Sequence, residues 1–389
     1  MERNVFVLSI TVFLIDLISS SWYMVIPLYL EELGASTIAI GVSFALISVG
    51  WYSLQFPGGL LGDKIGRKIL IVLSTTIFLP CYFMLSIARV WWMATLVMTV
   101  FWAFSGLQYP SLNSTIAESV AKKDWEIAFA TFVFFNNLSW AIGPLIGAFL
   151  IPLYGFQLVF YCGVIVSGVC AVIQFLFLQE TMQKKSKVEH KISLVTNRNI
   201  AYFLTGCSIF GLAYGLVLPL ISLYANKLLK LSFFEIELMF SISQFATCIS
   251  TFPSGLLIRK IGSKRGFIVS TLGACLSIAV WIFSPSFLVA AILLSLFSIF
   301  VYSLQDTSYG SLVSNITVPQ VRATVLGVAA TIIGISNAVG STIGGYLWEF
   351  YGPVFPFLLC GILSFPSTFF LLKVKVLDRE HVVEHLIHT

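Results

Sequence analysis

Apolar residues run along the chain in long blocks without two-residue alternation, so β-barrel strands are excluded and helices are predicted. Each block is about the 20 residues that a helix needs to cross a bilayer. Twelve such runs lie at about 5–31, 37–57, 69–88, 91–115, 126–150, 154–178, 200–226, 233–256, 266–284, 287–311, 323–348 and 353–373. The first follows only Met1-Glu2-Arg3-Asn4 and continues past residue 30, too long for a signal-peptide core, and is read as a span. The longest polar stretch, 179–198, separates six runs from six. The pattern predicts an all-α membrane protein of twelve transmembrane helices, with units at 1–178 and 199–389 joined by a cytoplasmic linker at 179–198.

Composition sharpens this. Of 389 residues, 58% are hydrophobic and 10% charged, against about 25% charged in soluble domains. So few charges could not cover a water-facing surface, which excludes a soluble enzyme, a nucleic-acid binder and a disordered chain. The net charge of +5 is better read from where the charges fall. With both termini inside, 19 of the 22 Lys and Arg residues fall in cytoplasmic segments, and Arg89, Lys227 and Lys230 remain outside. That asymmetry predicts a multi-pass protein of the cell membrane with both termini cytoplasmic. The basic linker is placed against anionic lipid.

All seven cysteines lie in apolar runs and none forms a CxxC pair; all four histidines, His190, His381, His385 and His388, lie in polar segments. No metal site or cofactor is expected, and no cluster of His, Cys and acids suggests an enzyme.

The two halves repeat. Phe56, Gly59, Gly66 and Lys68 align with Phe252, Gly255, Gly262 and Lys264 at an offset of 196. Leu107-Gln108, Gly143, Gly147 and Tyr154-Gly155 align with Leu304-Gln305, Gly340, Gly344 and Tyr351-Gly352 at an offset of 197. Two pseudo-symmetric six-helix bundles enclosing a central site follow.

Gly59-x-x-x-Asp63-Lys64-x-Gly66-Arg67-Lys68, read as the loop after the second span, matches a signature at every fixed position. On it, and over essentially the whole chain, the sequence resembles the major facilitator superfamily. In that family the loop helps to hold the cytoplasmic gate closed. Physically, Asp63 and Arg67 are four apart and can pair, or Asp63 can face a helix N-terminus. In the second copy Arg259 replaces the aspartate. Gly143-Pro144-x-x-Gly147, with Ser139 and Ala148 in place of the outer glycines, resembles the helix-five motif of the drug/proton antiporter branch. Small faces of this kind let helices approach closely, and proline weakens the local ladder. Where that branch often carries an arginine in span four, this chain has Trp102.

Acids are sparse within the runs. Glu31, Glu32, Glu235, Glu237 and Glu349 are read as lying near the outside, and ten more as cytoplasmic, which leaves Asp16 and Asp306 inside spans. A charge at mid-bilayer costs at least about 2.5–3.5 kcal/mol, so both are expected to face inward as proton-coupling candidates, with at least one carrying the coupling proton. Tyr23 continues the polar stripe of Asp16; Tyr302 and Gln305 continue that of Asp306. Gln108, Tyr109, Asn136, Asn137, Trp140, Gln244 and Asn337 are the further candidates for a substrate cavity. The resemblance implies that helices 1, 4, 7 and 10 line it and that a monomer works. No Lys or Arg lies in the hydrophobic core of a run, which argues against phosphates and multivalent carboxylates as cargo. The expected activity is alternating-access, proton-coupled efflux of lipophilic or cationic small molecules. The alternative is proton-coupled uptake or facilitated transport of a neutral metabolite such as a sugar.

Overall fold

The computed structural model describes residues 3–182, 198–317 and 319–376. The basic part of the predicted linker and all four histidines lie outside the described residues. Among the described residues there is no strand. The first bundle comprises α1 (Arg3–Tyr23), the short α2 (Ile26–Glu32), α3 (Thr37–Ser53), α4 (Gln55–Ile65), α5 (Arg67–Ser86), α6 (Trp91–Glu118) and α7 (Trp125–Phe177). The second comprises α8 (Arg198–Val217), the short α9 (Ile221–Lys227), α10 (Phe233–Ile261), α11 (Ser263–Trp281), α12 (Phe287–Ser298), α13 (Asp306–Ile316), α14 (Pro319–Tyr351) and α15 (Phe355–Lys373).

Nine helical stretches among the described residues are long and apolar enough to cross a membrane. One, Lys122–Phe177 with 56 residues, holds two spans that meet at Gly155, whose φ of +74° breaks the helix. α6 and α10 are more polar, but their 28 and 29 residues reach the same length, about 42 Å at 1.5 Å per residue. These stretches account for the twelve runs. Some runs are interrupted. The first pauses after Tyr23 and resumes as α2, the seventh passes through a 3-10 turn at Leu218–Leu220, and the tenth contains a π-helical turn at Ile299–Gln305.

Local sequence fixes several helix ends. Ser36 and Ser286 accept from the backbone N–H of Ala39 and Val289, and Ser232 forms a reciprocal capping box with Glu235. The repeat is visible in the backbone. Gly66 and Gly262 end α4 and α10 at φ +107° and +88°, and Gly155 and Gly352 turn at +74° and +94°. Both pairs are positions where an L side chain would be strained. The gate motif proves mostly helical rather than a loop: Gly59 to Lys64 lie in α4, and only Gly66 turns the chain. A run of glycine and charge reads as loop in a hydropathy profile, although α4 continues the second span.

Arg3 and Asn4 bond to Leu176, Ser119 and Gln179, while Asn199 and Lys264 bond to Lys375 and Leu372. These contacts define one end of the molecule, the terminal face. At the opposite face the bundles are joined. Glu31 pairs with Lys227, and Glu349 accepts from the Thr37 hydroxyl (2.9 Å) and the Ile38 amide (3.3 Å). Below these, α3 lies so close to α14 that a Cβ on Gly41 would come within 2.3 Å of the Ser341 carbonyl. α7 meets α10 through Ser241, which donates to the Ala141 carbonyl (2.7 Å), and through the Phe149 and Phe234 rings, 5.3 Å apart.

Toward the terminal face Phe56 and Phe252, one residue pair of the repeat, are 72% and 76% exposed. Among the described residues, hydrogen bonds join the bundles at the opposite face and in the middle, and none joins them at the terminal face.

Candidate functional site

Three adjoining cavities, of about 310, 340 and 480 Å³, occupy the middle of the molecule. The first and second share Trp102, Asn136 and Trp140; the second and third share Tyr214, Tyr302 and Asp306. Asp16, Gln108 and Tyr109 line the first; Tyr23, Asn137 and Gln244 the second; Gln305 and Asn337 the third. All twelve residues singled out from the sequence for coupling or substrate contact therefore lie on one central basin. Among the described residues that line it there is no Lys or Arg.

Asp16 is partly buried on α1 and accepts a 2.5 Å hydrogen bond from Asn136 Nδ2 of α7. Asp306 is exposed to the basin at the first residue of α13, directly after the π-helical turn. A π-turn widens the helix locally and is frequently found at functional sites. The two carboxylates thus belong to different bundles and reach one space.

Between them the basin is aromatic. The Tyr23 ring lies 5.0 Å from Trp102 and 5.7 Å from Trp140, and Trp51 lies 5.7 Å from Trp102 and 5.6 Å from Tyr109. The Tyr214 and Tyr302 hydroxyls are 2.5 Å apart. Gln108 and Gln305, equivalent in the repeat, are both buried, and each has an Oε1 without a partner. Asn337 Oδ1 accepts from Ser48 of the other bundle at 3.2 Å.

Sequence reading missed Trp51, Tyr52, Trp102 and Tyr214 as lining residues. In a chain with 15% aromatic residues, rings facing lipid and rings facing a cavity carry the same signal. The one available cue was Trp102, standing where a resembling branch has an arginine. Glu237, read only as lying near the outside, is fully buried in α10.

The gate motif is tied within its own bundle. Arg67 Nη2 lies 3.0 Å from Asp63 Oδ1, and its Nε lies 2.9 Å from Glu118 Oε2. The N-terminus of α5 is met not by Asp63 but by Glu180, whose carboxylate accepts from the amides of Arg67 and Lys68, each at 3.1 Å.

The helix-five motif packs α7 onto α1. A Cβ on Gly143 would come within 2.6 Å of the Leu17 carbonyl, and one on Gly147 within 2.1 Å of that of Ser21. The second bundle repeats this crossing, with Gly340 and Gly344 of α14 each placing a Cβ 2.2 Å from the Leu212 and Leu216 carbonyls of α8.

The sequence profile of the Major Facilitator Superfamily matches residues 8–236 and 203–385, and the chain belongs to that family of transporters. It is not an enzyme of a soluble or membrane class. Among its relatives, an uncharacterized MFS-type transporter of Methanocaldococcus jannaschii, MJ1560, is 26% identical over 361 residues, covering 90% of this chain and 93% of that protein. The multidrug resistance protein MdtG of Proteus mirabilis is 27% identical over 266 residues, covering 64% of this chain and 65% of that protein. The crystal structure of the nucleoside transporter NupG superposes with a TM-score of 0.83 at 14% identity, covering 95% and 99% of the two chains. A POT family transporter in complex with 5-aminolevulinic acid gives 0.78 at 16%, covering 96% of each. At these identities the two structures speak for the fold alone.

Proposed function

We propose that this transporter exports lipophilic or cationic small molecules in exchange for protons by alternating access. The observation that carries the reading is a single basin lined by two carboxylates, one from each bundle, and by Tyr23, Trp51, Trp102 and Trp140, with no basic side chain among its described lining. Such a lining favours a cation through charge and ring faces, and a lipophilic body through apolar contact. Asp16 and Asp306 bind protons or cargo cations alternately, because a carboxyl neutralised by a proton no longer attracts a cation. The resemblance to MdtG supports efflux as the direction.

The bundles 1–178 and 199–389 are the units that rock, joined through 179–198. The terminal face is cytoplasmic: Lys64, Arg67, Lys68, Lys122, Lys123, Arg198, Arg259, Lys260, Lys264 and Arg265 lie at helix ends there. The membrane is the cell membrane, and one copy of the chain suffices. The conformation described is then open to the cytoplasm.

A second reading, transport of a neutral metabolite, draws support from the amides of Asn136, Asn137, Gln244 and Asn337 on the same basin. Proteoliposomes decide between them. With the protein in either orientation, an imposed pH gradient is expected to drive ethidium against its gradient, and Asp16→Asn or Asp306→Asn is expected to abolish the driven flux. Flux of a neutral solute with no response to pH gradient or to either substitution overturns the efflux reading.

A further inference from the structure

Glu237 occupies the seam where α10 meets α7 and α1, toward the opposite face. Its side chain is fully buried, and neither carboxyl oxygen has a hydrogen-bond partner. The slot that holds it exists because Gly147 lacks a side chain. A Cβ there would come within 2.9 Å of Glu237 Oε1 as well as 2.1 Å of the Ser21 carbonyl.

The surroundings offer no compensation. From α1, the Ser21 hydroxyl donates to the Ile18 carbonyl (2.7 Å). From α7, Gly147 faces the slot. On α10 itself, Ser241 donates to the Ala141 carbonyl (2.7 Å), and Glu235 is engaged in the capping box of Ser232. The charged groups nearest the opposite face, Lys227 and Glu31, are paired with each other, and Asp16 further along α1 is bonded to Asn136. An ionised carboxylate in such a place would be a buried charge with no counter-ion and no donor, which proteins do not sustain. The same seam is part of what closes the opposite face.

We propose that Glu237 is a proton-binding site that latches the opposite face: the seam closes only around the neutral acid. When α7 and α10 part, the carboxyl meets water on that face, its O–H bond breaks, and the proton passes to that water. Closure takes one proton back from the same side. The shut form then holds one proton more than the open form, so linkage sets the sign. The shut-to-open ratio rises as pH falls, by up to about tenfold per pH unit. The inference needs only alternating access and does not depend on which solute is carried.

The test reads conformation rather than transport. Spin labels go on cysteines at Arg89 and Pro285, exposed residues of the α5–α6 and α11–α12 connections in opposite bundles. The partly exposed Cys162 and Cys248 are replaced by serine, and Asp16→Asn and Asp306→Asn remove the two basin carboxyls. In nanodiscs, distance distributions from electron–electron resonance are expected to move from shut to open as pH rises, with a slope approaching tenfold per unit. Glu237→Gln, an uncharged isostere, is expected to stay shut at every pH. If Glu237→Gln does not fold, Glu237→Met, uncharged and of similar length, carries the same expectation. A background protein that shows no pH response, or a Glu237→Gln protein that keeps it, overturns the proposal.

Discussion

Asn136 of α7 donates to the carboxylate of Asp16 on α1 across 2.5 Å, which makes the first carboxyl of the basin part of a helix–helix contact as well as a cavity wall. Interhelical hydrogen bonds in membranes are worth about 0.6 kcal/mol on average and up to about 1.7. Asp16→Ala and Asn136→Ala should therefore be non-additive. Unfolding in a detergent titration is expected to give a coupling energy of about 0.6–1.7 kcal/mol in the double-mutant cycle. Strict additivity would mean that the two side chains do not meet in the folded protein.

The ion pair of Glu31 with Lys227 spans the bundles at the opposite face, and its side chains are 34% and 41% exposed. Pairs this open to water contribute about 0–1 kcal/mol and weaken with salt. Lys227→Met is expected to shift the equilibrium toward opening by less than about fivefold. The Glu31→Lys/Lys227→Glu exchange is expected to restore the wild-type balance. The readout is the rate at which a membrane-impermeant thiol reagent, added on that side, reaches a cysteine placed at Leu218 in the basin. A change that persists undiminished at 1 M salt would rule out this pair as its cause.

Glycines along the bundles divide by what lies opposite them. A Cβ at Gly344 would come within 2.2 Å of the Leu216 carbonyl, a backbone atom that cannot swing aside, whereas a Cβ at Gly255 meets nothing within 4 Å. Gly344→Ala is expected to cost about 1–3 kcal/mol by overpacking the α8–α14 crossing. Gly255→Ala, in mid-helix, is expected to be neutral or to add about 0.4–1 kcal/mol through the unfolded chain. Thermal unfolding of the two variants in one detergent ranks them. A Gly344→Ala protein as stable as Gly255→Ala would refute the close crossing.

The same contrast shows what was readable in advance. The twelve runs, the repeat and the inward stripes of Asp16 and Asp306 follow from hydropathy and residue spacing, because lipid penalises any misplaced charge. Gly66 with Gly262, and Gly155 with Gly352, could be paired by offset alone, and their shared positive φ follows from one backbone plan used twice. Other features depend on which neighbour a side chain finds, and a single sequence carries no such information. Glu180 rather than Asp63 reaches the α5 N-terminus because a segment more than 110 residues away folds back beside it. Glu237 sits only two residues from the capping Glu235, yet one faces solvent chemistry and the other a sealed seam. Two positions along a helix turn the side chain by about 200°, and which face is buried is decided by α7.

Trp102 offers the sharpest test of what the basin binds. Its ring lies 5.0 Å from Tyr23 and 5.7 Å from Trp51, it lines both the first and second cavities, and its buried indole N–H has no partner. A cation seated against such a ring, away from water, gains about 2 kcal/mol, close to a factor of 30 in affinity. Trp102→Leu keeps apolarity but removes the ring face and part of the bulk, which the neutral analogue controls for. It is expected to weaken binding of a lipophilic cation by about that factor while changing binding of a neutral analogue of the same shape by less than about threefold. Trp102→Phe, which retains a weaker ring, should fall between. Titration calorimetry on purified protein measures all three. Equal losses for the cation and its neutral analogue would mean that Trp102 shapes the cavity without recognising charge.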